Sequence, residues 1–556
     1  MRERYIYLME KTLRAYTDED IVRFFAEVQE NGLTEHGFPR LTANLGILIC
    51  HGIRTELSDL FCEMMEFCCK SIPLVKAANN FSVKEIIFCI KELEKSNAVS
   101  SALIDQWKEY LKTIIPENCY ERIAMKETDE VRNWALFAGV SEYIRQYFTL
   151  CNSKDFINTQ ISSQMKWLDE NGMYQDKPVY PPMVYDLVSR GLFALLLHFG
   201  FKGKHYQEID SCLKKAGLLT LKMQSVTGEI PFGGRSNQFL FNEALIAIIF
   251  EYESNRYAAE GNLKIAQEFK VGVRRALDNI ELWLSEECIS HIKNRFCVNS
   301  RYGCEDYAYY DKYMITTASF LYTAYLICDD TISAEGDIKA ENVAFCTSDE
   351  FHKIFMRNGE YALEFETKAD LSYDVSGLGR IHKKGAPSAI CLSLPCTDTP
   401  VYTISEENTS FLSLCPGILC NGQWKFAADE ETEYELVELT NNKDSVFAEI
   451  LCRFCNGENV QTKYEVNEDG VNIEVRGNED IAYMLPAFCF DGKNTTEITF
   501  DKNSLTISYL GWICRYITDG EIINYNRIAC NRNGHYKVFL ATSKKLLKLK
   551  VEILKL

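Results

Sequence analysis

From residue 1 to about residue 330, apolar positions recur every three to four residues, the pattern of amphipathic helices. The spacing predicts helices over residues 18–30, 57–69, 83–95, 102–115, 131–148, 156–171, 185–199, 208–224, 239–257, 262–285 and 313–328. Turn residues separate them, among them Gly32, Pro39, Pro116, Gly172, Gly217 and Gly261. Many helices with short connectors favour hairpins closed into an (α/α) toroid, either a six-hairpin barrel or an incomplete one. A solenoid arc is the alternative, but no strict repeat period supports it.

The pattern changes near residues 331–344, where short alternating runs begin. They predict strands over residues 353–356, 361–367, 388–394, 433–439, 445–452, 463–466, 471–475, 497–500, 504–509 and 537–541, and a closing strand or short helix over 546–556. Asn-Gly and Asp-Gly pairs at 358–359, 469–470, 491–492 and 533–534 indicate tight turns. The chain is therefore predicted to be an α+β multidomain protein, with a toroid over 1–335 and an antiparallel β-sandwich over 336–556.

Charge and cysteine content narrow the function classes. The net charge of −19 argues against nonspecific nucleic-acid binding, which needs a basic face, although local Arg and Lys can still form a positive cleft. The longest apolar stretches are too short to span a membrane. The 22 cysteines lack regular spacing and no secretory signal is recognisable, so reduced thiols and a cytoplasmic location are expected. No cofactor or metal is predicted, and the oligomeric state stays open, a homo-oligomer included.

Two polar segments, 228–238 and 303–313, each precede an apolar helical run. Polar loops that lead into scaffold helices often carry binding and catalytic groups. We therefore expect both segments to line one cleft that holds a sugar.

The first segment offers a cation, amides and a carboxylate. Arg235 follows two glycines and can hold a carboxylate with two parallel hydrogen bonds. Asn237 and Gln238 offer amide donors to a sugar. The alternatives are a turn whose Arg235 pairs with a nearby Glu, and an N-cap at residue 236 or 237. Glu229 is a candidate catalytic acid.

The second segment is rich in phenols and acids. Tyr307, Tyr309 and Tyr310 lie among cations that lower a phenol's pKa and make it a usable base. Aromatic core packing is the alternative for any one of them. Glu305 completes a candidate acid pair with Glu229, because glycoside hydrolysis needs two carboxylates.

Other candidates lie outside the two segments or at their edge. Glu243 is a third acid, or an ordinary helix-surface residue. Arg380 and His382 belong to residues 377–385, interpreted as a cationic loop that either reaches over the toroid or forms a plain basic hairpin. Trp134 and Tyr185 present aromatic faces that stack on sugar rings or pack helices.

A helical toroid followed by an antiparallel sandwich resembles polysaccharide lyases of the heparinase II/III and alginate-lyase type. Asn237, then Tyr307 or Tyr309, then His382 follow the order of that family's site residues. The resemblance implies β-elimination at a uronic acid: Arg235 and Asn237 neutralise the carboxylate, a tyrosine removes the C5 proton, and a tyrosine or His382 protonates the leaving oxygen.

The acids around the tyrosines instead resemble (α/α)-toroid glycoside hydrolases, including glucuronidases, with Glu229 and Glu305 as the pair. Either enzyme would act on imported uronic-acid oligosaccharides. A non-enzymatic helical scaffold or sugar-binding protein is the third alternative.

Overall fold

The computed structural model describes residues 1–336, 342–428 and 432–556. Its helices are α1 (Arg2–Leu13), α2 (Asp18–Asn31), α3 (Gly37–Cys50), α4 (Ser58–Ser71), α5 (Val83–Ser96), α6 (Ser101–Lys112), α7 (Pro116–Cys119), α8 (Asn133–Tyr147), α9 (Lys154–Gln164), α10 (Met183–His198), α11 (Tyr206–Met223), α12 (Asn242–Ala259), α13 (Leu263–Leu284) and α14 (Tyr310–Ile327). All of them precede the first strand, as the change of pattern along the sequence predicts.

Six of the described helices form a closed inner ring in the order α3, α5, α8, α10, α12, α14, and α14 packs back against α3. The remaining helices lie outside it; α13 packs on α12, α9 on α8, and α1 on α14. One continuous apolar core fills this half of the molecule. The predicted (α/α) toroid is confirmed, and its inner ring of six helices is closed.

Inner helix α3 was not predicted, although it completes the ring. All of its residues but the last are buried, Arg40 and Asn44 included, so the helix has no solvent-facing side that would mark it in the sequence. Pro39, interpreted as a helix separator, lies in the first turn of α3, where a proline removes no helical hydrogen bond. Helix α1 was missed as well.

The second half consists of antiparallel strands. They are β1 (Val343–Cys346), β2 (Lys353–Asn358), β3 (Tyr361–Glu366), β4 (Gly377–Lys383), β5 (Pro416–Cys420), β6 (Gln423–Phe426), β7 (Glu433–Asn441), β8 (Val446–Arg453), β9 (Asn459–Asn467), β10 (Gly470–Phe490), β11 (Glu497–Phe500), β12 (Ser504–Tyr509), β13 (Trp512–Thr518), β14 (Glu521–Asn531) and β15 (Gly534–Lys555). Strands β1–β4 form one sheet, and β5–β15 form a larger one around the long pair β10 and β15. A shared apolar core joins the two sheets, which confirms the predicted sandwich.

Several local predictions in this half were wrong. Residues 388–394 begin with a short 3-10 turn instead of a strand. Residues 377–385, predicted as a loop, are mostly the buried strand β4, where Phe232 and Pro395 pack closely around Gly379. The prediction for 546–556, a closing strand or a short helix, is confirmed in its first form, because this segment is the end of β15.

Barrel and sandwich meet across a small apolar cluster that includes Met183 from α10 and Phe355 from β2. The domain boundary between residues 335 and 336 stays a prediction, because residues 337–341 beside it lie outside the described residues. Within the described ranges, no helix combines the length and apolarity that a bilayer crossing requires.

Candidate functional site

The N-terminal ends of the six inner helices converge at one end of the ring, which we call the barrel mouth. A cavity of about 60 Å³ at the ring axis is lined by His36, Arg40, Phe81, Phe137, Val184, Tyr185, Val188, Phe241, Tyr313, Thr316 and Phe320. Most of these residues lie in the first turns of the inner helices or just before them. Because the N-terminal end of a helix carries partial positive charge, six converging ends favour an anionic ligand.

Segment 230–238 crosses the mouth in a backbone conformation fixed by buried carboxylates. Alternate amides donate to four different acids: Ile230 to Glu243 at 3.4 Å, Phe232 to Glu364 at 3.2 Å, Gly234 to Asp374 at 3.1 Å and Ser236 to Glu305 at 2.7 Å. Ser236 and Gln238 have φ values of 59° and 66°, a region that residues other than glycine rarely adopt. Strained backbone of this kind persists only where its surroundings hold it, which happens often at functional sites.

The acids that hold this segment are themselves paired with cations. Arg532, from the turn before β15, donates to both carboxylate oxygens of Glu305 at 2.7 and 2.9 Å. Burial raises the pKa of Glu305, but the charge and hydrogen bonds of Arg532, together with the hydrogen bond from the Ser236 amide, lower that pKa overall. Burial raises the pKa of Glu243, whose fully buried carboxylate accepts a hydrogen bond from Lys293 at 2.8 Å. Glu243 is therefore not the helix-surface residue of the alternative interpretation, and both acids hold backbone in place.

Three hydroxyl groups form a chain at the mouth. Ser236 Oγ lies 3.0 Å from the Tyr307 hydroxyl and 3.2 Å from the Tyr185 hydroxyl. Burial of the hydroxyl, followed by the nearby Tyr185 and Glu305, raises the pKa of Tyr307. The prediction that cations lower this pKa was wrong for Tyr307, because Arg235 acts against a larger desolvation effect. The Tyr307 ring is still 39% exposed, so a ligand can reach it.

Arg235 lies beside the hydroxyl chain. Its guanidinium group forms an ion pair with buried Asp176 and stacks 4.2 Å over the Tyr185 ring. Asn133 at the start of α8 donates to Asp176 at 2.6 Å and so fixes the acid. The Nε atom of Arg235 is a buried donor without a hydrogen-bond acceptor among the described residues. Arg235 thus has both a fixed position and an unused donor at the mouth.

The remaining aromatic candidates differ in where they lie relative to the mouth. Trp134 packs edge-on against Phe81, a residue of the mouth cavity, at 4.5 Å. Tyr309 is the N-cap residue just before α14, 51% exposed, and its ring lies between Arg301 and Lys312. Tyr310 does not face the mouth: its hydroxyl donates to the Ile289 carbonyl, and its ring packs against Tyr16 and His291. Substrate binding by Tyr310 stays a prediction, since these contacts join it to Ile289, Tyr16 and His291 and not to the hydroxyl chain.

Asn237 and Gln238 are buried and face away from the hydroxyl chain. Asn237 donates to the Pro231 carbonyl at 3.1 Å and accepts from Gln238. Gln238 accepts from Asn533 of the turn before β15 at 3.2 Å. Neither amide caps α12, whose N-cap residue is Phe241. Through these hydrogen bonds, both side chains help to hold the strained segment 230–238 in place.

His382, Arg380 and Glu229 form a second buried group, and no contact among the described residues joins it to Tyr307 or Tyr309. His382 lies 2.7 Å from Ser225 Oγ, and burial, reinforced by Arg380, lowers its pKa to about 3. Burial alone would raise the pKa of Glu229, but Lys293, His382 and Arg380 lower it to about 2. The expected site with Arg235, Tyr309 and His382 in one pocket is not formed, because β4 is a buried strand.

Sequence reasoning missed Asp176, Ser236 and Arg532. Ser236 was considered only as a helix cap. Asp176 follows Gln175 and precedes a proline-rich stretch, and its distance of 59 residues from Arg235 conceals their pairing. Arg532 precedes an Asn-Gly turn and contacts Glu305 across 227 residues. Only the three-dimensional fold brings these residues together.

No family model matches the chain, and no curated protein matches it either. Several solved structures do match it. A Paenibacillus xanthan lyase matches with a TM-score of 0.50 and 8% identity over 99% of this chain and 60% of that one. A Streptomyces coelicolor A3 chondroitin AC lyase, in complex with chondroitin sulphate, matches with a TM-score of 0.49 and 8% identity over 98% and 82%.

A heparan sulfate lyase mutant from Pedobacter heparinus matches with a TM-score of 0.47 and 10% identity over 93% of this chain and 76% of that one. At such identities the matches concern the fold. The resemblance predicted from the sequence is confirmed at the level of the fold, which the chain shares with the xanthan lyase.

Proposed function

We propose that the protein is a carbohydrate-active enzyme that cleaves uronic-acid oligosaccharides at the barrel mouth by β-elimination. The observation that carries this proposal is the arrangement of Arg235 beside the Tyr185–Ser236–Tyr307 hydroxyl chain, at the converging N-terminal ends of six helices. A fixed guanidinium group suits a carboxylate, and exposed phenols suit proton transfer and ring stacking. The shared fold with polysaccharide lyases is consistent with this function.

In the proposed reaction, Arg235 binds the C6 carboxylate of the uronate and withdraws electron density, which makes the C5 proton more acidic. The phenolate form of Tyr307 takes that proton while the bond from C4 to the leaving oxygen breaks and a C4–C5 double bond forms. Tyr307, now a phenol, gives the proton to the leaving oxygen. Ser236 and Tyr185 stabilise the phenolate with their hydroxyl groups. The products are a shortened sugar and an unsaturated uronide.

The charge states of the acids favour elimination over hydrolysis. A hydrolase needs one protonated and one ionised carboxylate at the scissile bond. Glu229 and Glu305 both have lowered pKa values, and each is less than 5% exposed. Neither can act as a general acid near neutral pH, and they belong to separate groups.

The test is a set of glucuronate- and galacturonate-containing oligosaccharides, read by ultraviolet absorbance for the unsaturated product and by reducing-sugar release for any cleavage. Tyr307→Phe is expected to lower activity by about 10²- to 10⁴-fold, the usual range for a lost acid–base group. Tyr310→Phe is the matched control, because it removes a phenol of the same segment outside the mouth, and it should retain activity.

Full activity of Tyr307→Phe would contradict the elimination mechanism. Reducing-sugar release without ultraviolet absorbance would indicate a hydrolase instead. Binding without turnover of any substrate would indicate a sugar-binding protein. We also propose a cytosolic location; its support is the cysteine content, with 22 thiols and no disulfide among the described residues.

A further inference from the structure

A serine, a histidine and a glutamate form a hydrogen-bonded chain between the outer helices α9 and α11. Ser162 Oγ, in the last turn of α9, lies 3.0 Å from Nε2 of His205. The other ring nitrogen of His205, Nδ1, lies 2.9 Å from Oε2 of Glu208 in the first turn of α11. None of these three residues lines the mouth cavity. We call them the outer triad.

The glutamate of the outer triad fixes the tautomer of the histidine. A carboxylate can only accept a hydrogen bond, so the proton of neutral His205 lies on Nδ1 and Nε2 keeps its lone pair. Nε2 therefore accepts the hydrogen bond from the Ser162 hydroxyl. The same order of serine, imidazole and acid activates a serine as a nucleophile on unrelated folds, where geometry and not sequence position identifies it.

A second acid, Glu127, is the competing acceptor for the Ser162 proton. Lys204 donates to both carboxylate oxygens of Glu127, at 3.1 and 3.0 Å. The hydrogen bond and the charge of Lys204 lower the pKa of Glu127, and the Ser162 hydroxyl lowers it to a smaller extent. Because imidazole is a stronger base than a carboxylate, His205 is the group that removes the Ser162 proton when the serine attacks.

Backbone amides without acceptors lie next to the outer triad. His205 is the N-cap residue of α11, so the first amides of this 18-residue helix lie close to the histidine ring and its partners. The amides of Gln207 and Glu208 donate to no backbone acceptor among the described residues. A helix N-terminus carries partial positive charge, and its unpaired amides can stabilise the oxyanion of an acyl-transfer intermediate.

The outer triad is accessible from solvent. The side chains of His205 and Glu208 are 19% and 53% exposed, and Ser162 is half-buried. A nucleophile at such a surface position suits an ester of a short acid, such as acetate, because a short acyl group needs no deep apolar slot.

We propose that the outer triad is a second catalytic site, which hydrolyses esters of short carboxylic acids through an acyl-serine intermediate. Ser162 Oγ attacks the carbonyl carbon while Nε2 of His205 takes the hydroxyl proton. The bond from that carbon to the alcohol oxygen then breaks, and His205 gives the proton to the departing alcohol. Water, deprotonated by His205, attacks the acyl group, releases the acid and restores Ser162. This activity does not depend on the function proposed for the mouth.

The experiment is labelling of the full chain with a fluorophosphonate, located by peptide mass spectrometry, together with hydrolysis of 4-nitrophenyl acetate. Ser162 should displace fluoride from phosphorus and carry the label, and Ser162→Ala should lose both the label and the hydrolysis. His205→Ala should slow labelling by about 10²- to 10⁴-fold, the contribution of a general base. Glu208→Gln should slow it at least about tenfold, because an amide can donate to Nδ1 and reverse the tautomer.

Ser405 is the matched control. Its Oγ lies 2.9 Å from Nε2 of His535, but the nearest oxygen of Glu406 is 3.9 Å from Nδ1 of that ring, too far for a hydrogen bond. This serine has a histidine partner without an acid to fix the tautomer. Ser405 should therefore stay unlabelled, and Ser405→Ala should hydrolyse the ester at the wild-type rate.

Four outcomes would overturn the inference: no label on Ser162, equal labelling of Ser162 and Ser405, an unchanged labelling rate in both His205→Ala and Glu208→Gln, or label on Ser162 without hydrolysis that depends on it. Circular dichroism confirms that the variants are folded. The ultraviolet assay separates this result from the proposed function, because Ser162→Ala should leave the elimination rate at the mouth unchanged.

Discussion

The ion pair between Glu305 and Arg532 provides the most direct test of how the mouth is held. Both side chains are almost fully buried, at 3% and 1% exposure, and the guanidinium group donates to both carboxylate oxygens. Glu305→Gln keeps the shape but removes the charge, and it leaves Arg532 with the Gly303 carbonyl as an acceptor at 2.6 Å. Removing one partner of a buried pair costs about 3–5 kcal/mol, because the other charge stays buried and uncompensated.

The assay is denaturant unfolding followed by circular dichroism and tryptophan fluorescence. Because Glu305 belongs to the barrel and Arg532 to the sandwich, Glu305→Gln should lower the unfolding midpoint and separate the transitions of the two domains. The matched control is Glu287→Gln, which removes an exposed interdomain pair with Lys493, and it should leave the midpoint unchanged within error. The double variant Glu305→Leu/Arg532→Met should be more stable than Glu305→Gln, because it leaves no unpaired charge.

Equal stability of Glu305→Gln and Glu287→Gln would refute this reasoning. A folded Glu305→Gln protein that loses only activity would return Glu305 to the list of catalytic acids. The experiment therefore decides between a positioning role and a catalytic one.

Three further predictions follow from single sites. Burial raises the pKa of Glu366 to about 8. The contribution of Glu366 to stability is therefore full below about pH 4 and is lost as the pH rises through about 8. Glu366→Gln should flatten the pH dependence of the unfolding midpoint over this range. Gly46→Ala in inner helix α3, despite the better helix propensity of alanine, should lower the melting temperature, because the new Cβ would lie 2.4 Å from the Phe61 ring of α4. Because the pKa of Tyr307 is raised, kcat/KM should increase about tenfold per pH unit through pH 7–9; a plateau below pH 9 would exclude its phenolate as the base.

The fold was largely readable from the sequence, because most helices have one apolar face and the turns between strands use Asn-Gly or Asp-Gly. The prediction failed where burial is complete. All residues of α3 and of β4 but the last one of each are buried, so neither element has a solvent-facing side. A periodic pattern records a boundary between core and water, and these elements have none.

The candidate site was only partly readable. Arg235, Tyr307 and Tyr185 were identified because they stand in or near polar segments, and the structure places them in contact with Ser236 or with one another. Tyr310 and His382 were expected at the mouth, but their hydrogen bonds in the structure are with Ile289 and Ser225. The direction in which a side chain points at a helix start, or on a buried strand, depends on packing that composition does not show.

The closed inner ring has a consequence for synthesis of the protein. The contact between α3 and α14 joins segments about 260 residues apart, so the first inner helix is translated long before the last one. At about 5–20 residues per second, α3 waits roughly 15–50 s for the neighbour that closes its apolar surface. During that time the nascent chain exposes the side of α3 that α14 later covers, and a chaperone bound near the ribosome would be expected to cover it.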